Sequence, residues 1–101
     1  MIATPALAYL IGAFLHLDWD LDHPDVWAAV DAFVADSPSD AAAIGAEVLA
    51  LLAAFPDDGE LAHHLVDDLL LGYWPGDGPT AMRDFLQVLQ QHVQRSLAAG
   101  Y

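Results

Sequence analysis

Apolar residues recur along the chain at helical spacing, in five segments separated by proline, glycine and serine. In the first, from about Pro5 to Leu17, residues Leu7, Leu10, Ile11, Phe14 and Leu17 share one side, while Ala8, Gly12 and Leu15 make the opposite side apolar too. Such a helix belongs at the centre of a core, or packs closely on a neighbour through its small residues. Thr4 stands at its N-cap position and Pro5 at the first helical one. Pro24 opens a second helix, with Asp25 in the first turn and Val26, Trp27, Val30, Phe33 and Val34 on the buried face. Ser37-Pro38-Ser39 breaks it, and a third helix from about Asp40 to Phe55 is expected to bury Ile44, Val48, Leu51, Leu52 and Phe55.

The turn Pro56-Asp57-Asp58-Gly59 offers an aspartate as cap for a fourth helix, about Glu60 to Leu71. Its inward residues are predicted to be Leu61, Leu65, Leu69 and Leu70, with Gly72 as the stop. Tyr73 to Pro79 is too rich in proline and glycine for regular structure. Thr80 then caps a last helix with the stripe Met82, Phe85, Leu86, Leu89, Val93 and Leu97, ended by Gly100. Only the short stretch Leu17 to Asp22 alternates. It reads as an extended link with Leu17, Trp19 and Leu21 inward and its aspartates in water. The expected fold is all-α: one domain over residues 1–101, a compact bundle of about five helices with short loops.

Composition narrows the class of function. At 101 residues and 56% hydrophobic, the chain can bury a core, which argues against disorder. Two Lys plus Arg against fifteen Asp plus Glu give a net charge of −13. That excludes a phosphate-tracking nucleic-acid binder and argues against docking on an anionic membrane. With no cysteine, disulfide frameworks, thiolate metal sites and cysteine nucleophiles are all excluded. The apolar stretch Ile2 to Leu17 has no basic residue before it and no small-residue cleavage pattern after it. It is also short of the ~20 residues a membrane span needs. A soluble, cytoplasmic protein is expected.

Candidate chemistry is sparse. Asp18, Asp20 and Asp22 occupy the first, third and fifth positions of a calcium-loop pattern, but His23 at the sixth and Ala29 at the twelfth break it. Solvated aspartates are the stronger reading, and no metal or cofactor is expected. A carboxylate-rich enzyme using a divalent metal there is the weaker alternative. His63 and His64 diverge by about 100° on a helix, and pair at one-turn spacing with Asp67 and Asp68 as surface pairs. His92, among Gln90, Gln91 and Gln94, reads as solvated surface. No serine lies in a nucleophile-elbow context, and no glycine loop could cradle a phosphate.

Charge distribution is more informative. No Lys or Arg precedes Arg83, and every acid except Asp84 lies in that stretch. Such a surface serves solubility, or it attracts a basic protein partner over long range. The residues placed for that contact are Asp18, Asp20, Asp22 and Asp25, with Tyr73 and Trp74 as aromatic anchors. Trp27, on an apolar stripe, reads as core; Trp19 reads as a pin that holds the link against the helices.

The run from Tyr9-Leu10 through Phe14-Leu15-His16-Leu17-Asp18-Trp19-Asp20-Leu21-Asp22 resembles the opening of the CdiI-like family of small helical immunity proteins of contact-dependent growth inhibition. There an aromatic helix runs into a His-x-Asp-Trp-type segment. The aspartate-rich Val30 to Pro38 stretch, the Leu71-Gly72-Tyr73-Trp74-Pro75 loop and the Phe85-Leu86 helix continue the likeness in order. Leu17 stands where a polar residue is expected, and Phe85 where a tryptophan is more usual. The resemblance implies a non-enzymatic cytoplasmic antidote that binds the toxin domain delivered by a neighbouring cell. Such toxins are often nucleases with basic surfaces, which an acidic inhibitor is suited to cover. An acidic adaptor or nucleic-acid mimic for another basic protein is the alternative, and the small-residue face of the first helix leaves a weak homo-oligomer open.

Overall fold

The computed structural model describes residues 3–16, 18–76 and 78–99, without the side chain of Asp22. Among these residues the chain forms helices α1 (Pro5–Phe14), α2 (Trp19–Asp22), α3 (Val26–Asp36), α4 (Pro38–Ala54), α5 (Asp58–His63) and α6 (Ala81–Ala98). A π-helical turn, His64–Asp68, continues α5, and the described residues contain no strand. Helices α3 and α4 pack on each other, and both contact α1 and α6; α5 lies on α6 and α2 on α3. The fold is all-α, in one domain.

The apolar stripes read from the sequence are the core. Leu7, Leu10, Leu15, Phe33, Ile44, Leu51, Leu61, Leu65, Met82, Leu86 and Leu89 are fully buried. Phe14, Trp27, Leu52, Phe55, Leu69 and Leu97 pack against it half-buried. The small residues of α1 do not meet a neighbour: Ala8 and Gly12 are exposed. No helix among the described residues is long and apolar enough to cross a membrane.

The starts of α3, α4 and α5 shift by two residues from expectation, for local reasons. Asp25 is the N-cap of α3 rather than part of its first turn; its Oδ1 accepts from the Ala28 N–H at 2.8 Å. Pro38 sits in the first turn of α4, a position its fixed φ favours, so α4 begins before Asp40. Ser37 Oγ donates to Asp40 Oδ2 at 2.6 Å across that turn. Asp57 is the cap expected from its turn, accepting from the Glu60 N–H at 2.9 Å.

The caps expected of Thr4 and Thr80 are absent: neither side chain bonds to the helix it precedes by the usual N-cap contact. Distant carboxylates do that work. Glu47 of α4 accepts from the N–H groups of Ala6 and Leu7 at 3.1 and 2.9 Å. Asp58 accepts from those of Met82 and Arg83 at 3.2 and 2.8 Å. In return Arg83 Nη1 donates to the carbonyls of Leu52 and Phe55, at 3.3 and 2.9 Å, where α4 ends.

Two larger departures reshape the surface. The expected extended link is a helical turn, closed by N–H groups of Trp19 and Leu21 donating to the carbonyls of His16 and Asp18 at 3.0 and 3.1 Å. A turn cannot keep residues two apart on one side. Trp19 therefore packs on the core while Leu21 is 80% exposed, not inward; Leu17 lies outside the described residues. In the fourth segment the Leu69 N–H reaches back to the His64 carbonyl at 3.2 Å, the wide i to i+5 bond of a π-turn. That extra residue rotates the next positions off the stripe. Leu71 is buried instead of Leu70, which is 68% exposed with φ of 65°. Leu70 takes the left-handed stop position expected of glycine, and the Leu71 N–H closes on the Leu65 carbonyl at 2.9 Å. Gly72 is not the stop. Its N–H donates to the Leu15 carbonyl at 2.7 Å and ties this loop to the end of α1. The predicted end at Gly100 lies outside the described residues.

Candidate partner-binding surface

The α1–α2 junction and the loop after the π-turn carry the residues singled out for contact. Asp18 occupies the N-cap position of α2 but makes no capping bond through its side chain. His16 and Asp18 face Val66, Leu70, Leu71 and Gly72 across a surface cleft of about 490 Å³. Asp20 is exposed on the same turn. Residues two apart in a helical turn face away from each other, which does not suit Asp18 and Asp20 to one cation. Among the described residues no group of three or more His, Cys, Asp or Glu is placed to hold a metal ion. Asp22 lies at the end of α2, with its side chain outside the described part, and Asp25 is exposed while capping α3.

The two aromatic candidates separate. Tyr73 is half-buried: its ring meets Trp19 edge-on at 5.9 Å and Phe85 at 5.1 Å. Trp19 in turn donates Nε1–H to the Gly72 carbonyl at 3.2 Å, so it does pin the loop. Trp74 is 58% exposed and borders a cleft of about 300 Å³ with Asp58, Gly59, Ala62 and Met82. Asp18 and Trp74 thus line different clefts, linked through Gly72 and Tyr73.

Hydrogen bonding sorts the acids into two groups. Asp25, Asp40, Glu47, Asp57 and Asp58 hold helix ends, and Asp84 accepts from Thr80 Oγ1 at 3.0 Å. Asp36 accepts from the Tyr9 hydroxyl; that bond and the nearby negative charges push the Tyr9 phenol above its ordinary pKa. Asp31 joins α3 to α6, bonded to His92 Nε2 at 2.8 Å and to Ser96 Oγ at 2.7 Å. His92 is therefore a packed residue, its ring 5.0 Å from that of Trp27 and tilted by 36°, and not solvated surface. His63 and His64 pair with Asp67 and Asp68 as expected, though the His64 ring also stacks on Phe55 at 4.8 Å. Among the described residues Asp18, Asp20 and Glu60 keep carboxylates with no hydrogen-bond or ion-pair partner. Sequence reasoning missed Leu21 and Leu70, having sent both inward. A signal existed for one of them, because no single helical stripe buries all of Leu69, Leu70 and Leu71.

Fold and surface together define a small helical domain that spends most of its acids on its own architecture and leaves a few facing solvent, with Leu21 and Leu70 among the exposed apolar residues. Residues 3–93 match the CdiI immunity protein family, and the chain belongs to it. It is an immunity protein of contact-dependent growth inhibition, a family that generally works by binding a toxin and not by catalysis. No curated protein and no solved structure matches the chain.

Proposed function

We propose that the protein neutralises its toxin in the cytoplasm by laying the acidic turn of Asp18, Asp20, Asp22 and Asp25, together with Trp74, over a basic toxin surface. Tyr73 supports that contact from beneath, through Trp19 and Phe85. A basic surface of this kind is what a nuclease uses to hold nucleic acid. The observation that carries the reading is the cleft shared by His16, Asp18 and Leu70. It brings an unpartnered carboxylate beside a leucine that is exposed and held in a left-handed conformation. Strain of that sort costs on the order of 1 kcal/mol in a non-glycine residue and persists where the surroundings or the function retain it.

The test uses the C-terminal toxin domain of the cognate effector, in a binding and cell-protection assay. Replacing Asp18, Asp20 and Asp22 with Asn preserves shape and removes charge; binding should weaken with the melting temperature retained. The parent's association rate should fall steeply with added salt, because steering operates through screened charge. A rate indifferent to salt, or a triple variant that protects as well as the parent, sinks the proposal. Leu70→Gly should behave in the opposite sense for stability. It relieves the left-handed strain, raising stability by up to about 1 kcal/mol, while removing an exposed apolar contact and so weakening binding. Unchanged affinity in a stabilised Leu70→Gly would remove this cleft from the interface.

A further inference from the structure

Trp27 of α3, Tyr73 of the loop and Asp84, Phe85 and Val88 of α6 line a surface cleft of about 540 Å³, which shares Pro75, Gly76, Gly78 and Pro79 with the cleft beside Trp74. Among the described residues, Asp18, Asp20 and Asp25 do not line it. Phe85 is nearly buried and lies between the other two rings, 5.1 Å from Tyr73 and 6.0 Å from Trp27, with tilts of 39° and 38°. His92, held by Asp31, packs on Trp27, yet Trp27 remains part of the cleft wall. Val88 is 44% exposed at the rim. Beside it stands the exposed Asp84, which accepts one bond from Thr80 Oγ1. Arg83, next to Asp84 in sequence, does not neutralise it, because its guanidinium is bonded to the carbonyls of Leu52 and Phe55.

Aromatic faces beside a carboxylate attract a cation by two routes at once: the ring quadrupoles and the charge. A purely apolar occupant would strip water from Asp84 without pairing it, which is unfavourable. A planar guanidinium matches the tilted rings and the carboxylate better than a compact ammonium, since it stacks and bonds in a fork. We propose that this cleft receives an arginine side chain of the toxin domain. The inference rests on the immunity reading above and adds a second contact to it.

The experiment measures the cleft without the toxin. N-acetyl-arginine-N-methylamide is titrated into the full chain, with the citrulline analogue as its neutral isostere, while tryptophan indole resonances are followed by NMR. Trp27→Phe assigns the Trp27 signal. Arginine should shift Trp27 saturably, on the order of 10 mM, and more than Trp19, which reaches the cleft only through Tyr73; citrulline should shift neither. Asp84→Asn should weaken the arginine response by up to about fivefold, the range for a partly exposed ion pair. Val88→Arg, which places a cation at the rim, should abolish it, and Leu49→Arg on the exposed face of α4 should not. Melting curves of each variant show whether the fold is retained. No shift of Trp27, an equal shift with citrulline, or an unchanged response in Asp84→Asn overturns the proposal. Because cell protection is scored separately, a chain that protects but ignores arginine loses only the cleft, whereas one that binds arginine and fails to protect loses the immunity reading.

Discussion

Trp19→Ala should lower the unfolding free energy by about 3 kcal/mol, the lower end of the range for truncating a buried aromatic, since the ring is half-buried. For a domain near this size that corresponds to a melting temperature lower by about 12–24 °C. The loss has three sources. Ring area packed against the core returns to water, and the edge-on contact with Tyr73 at 5.9 Å disappears. The Gly72 carbonyl also loses its Nε1–H donor. The Gly72 N–H at the same time donates to the Leu15 carbonyl, so one residue ties the loop to the α1 end and to Trp19, and removing one tie loosens the other. Trp19→Phe keeps most of the area and removes the donor, and should cost nearer to 1 kcal/mol. Trp74→Ala, at a ring 58% exposed, should change stability by less than about 1 kcal/mol while weakening toxin affinity. Chemical denaturation followed by circular dichroism separates these cases. A Trp19→Ala that melts with the parent would show that Tyr73 and the Leu15 bond hold the loop unaided.

The helix core was legible because burial follows a local period: Leu7, Leu10, Phe33, Ile44, Leu86 and Leu89 all recur at helical spacing and all are fully buried. Failures occurred where a nonlocal or single-residue event decided the outcome. One wide hydrogen bond at His64 to Leu69 turned Leu70 out of the core; periodicity shows that Leu69, Leu70 and Leu71 cannot all face inward, but not where the extra residue of the π-turn falls. In the stretch Leu17 to Asp22, alternation over so few residues is equally compatible with a helical turn, and the bonds of Trp19 and Leu21 back to His16 and Asp18 chose the turn. Acids were harder still. Asp18 and Asp58 are the same residue type in similar company, yet one is solvated and the other holds the start of α6. Only their tertiary neighbours distinguish them. The same holds for His92, whose glutamine-rich surroundings describe an exposed face while Asp31, sixty-one positions earlier, supplies its partner.

Glu47→Ala should cost about 2–3 kcal/mol, the second large effect, although the residue lies far in sequence from the helix it stabilises. Its carboxylate accepts from two N–H groups in the first turn of α1, and those donors have no partner within the helix. It also places negative charge at the positive end of the α1 dipole, in a half-buried setting where screening is reduced. A clue was present in the sequence, since Glu47 is the one charged residue between Asp40 and Asp57. Its target could not be read there, because the α1–α4 packing that brings it to Ala6 and Leu7 is tertiary. Glu47→Gln keeps one acceptor oxygen but turns an amide donor toward the second N–H, and should cost about 1 kcal/mol. Thr4→Val is the decisive companion. If Thr4 capped α1 in the local manner, losing its hydroxyl would cost about 1 kcal/mol; with Glu47 in that role, the change should stay within about 0.5 kcal/mol. Denaturant midpoints of the three variants, at constant slope, give the comparison. A large loss in Thr4→Val together with a small one in Glu47→Ala would return the cap to Thr4 and leave the α1–α4 contact resting on its apolar residues alone.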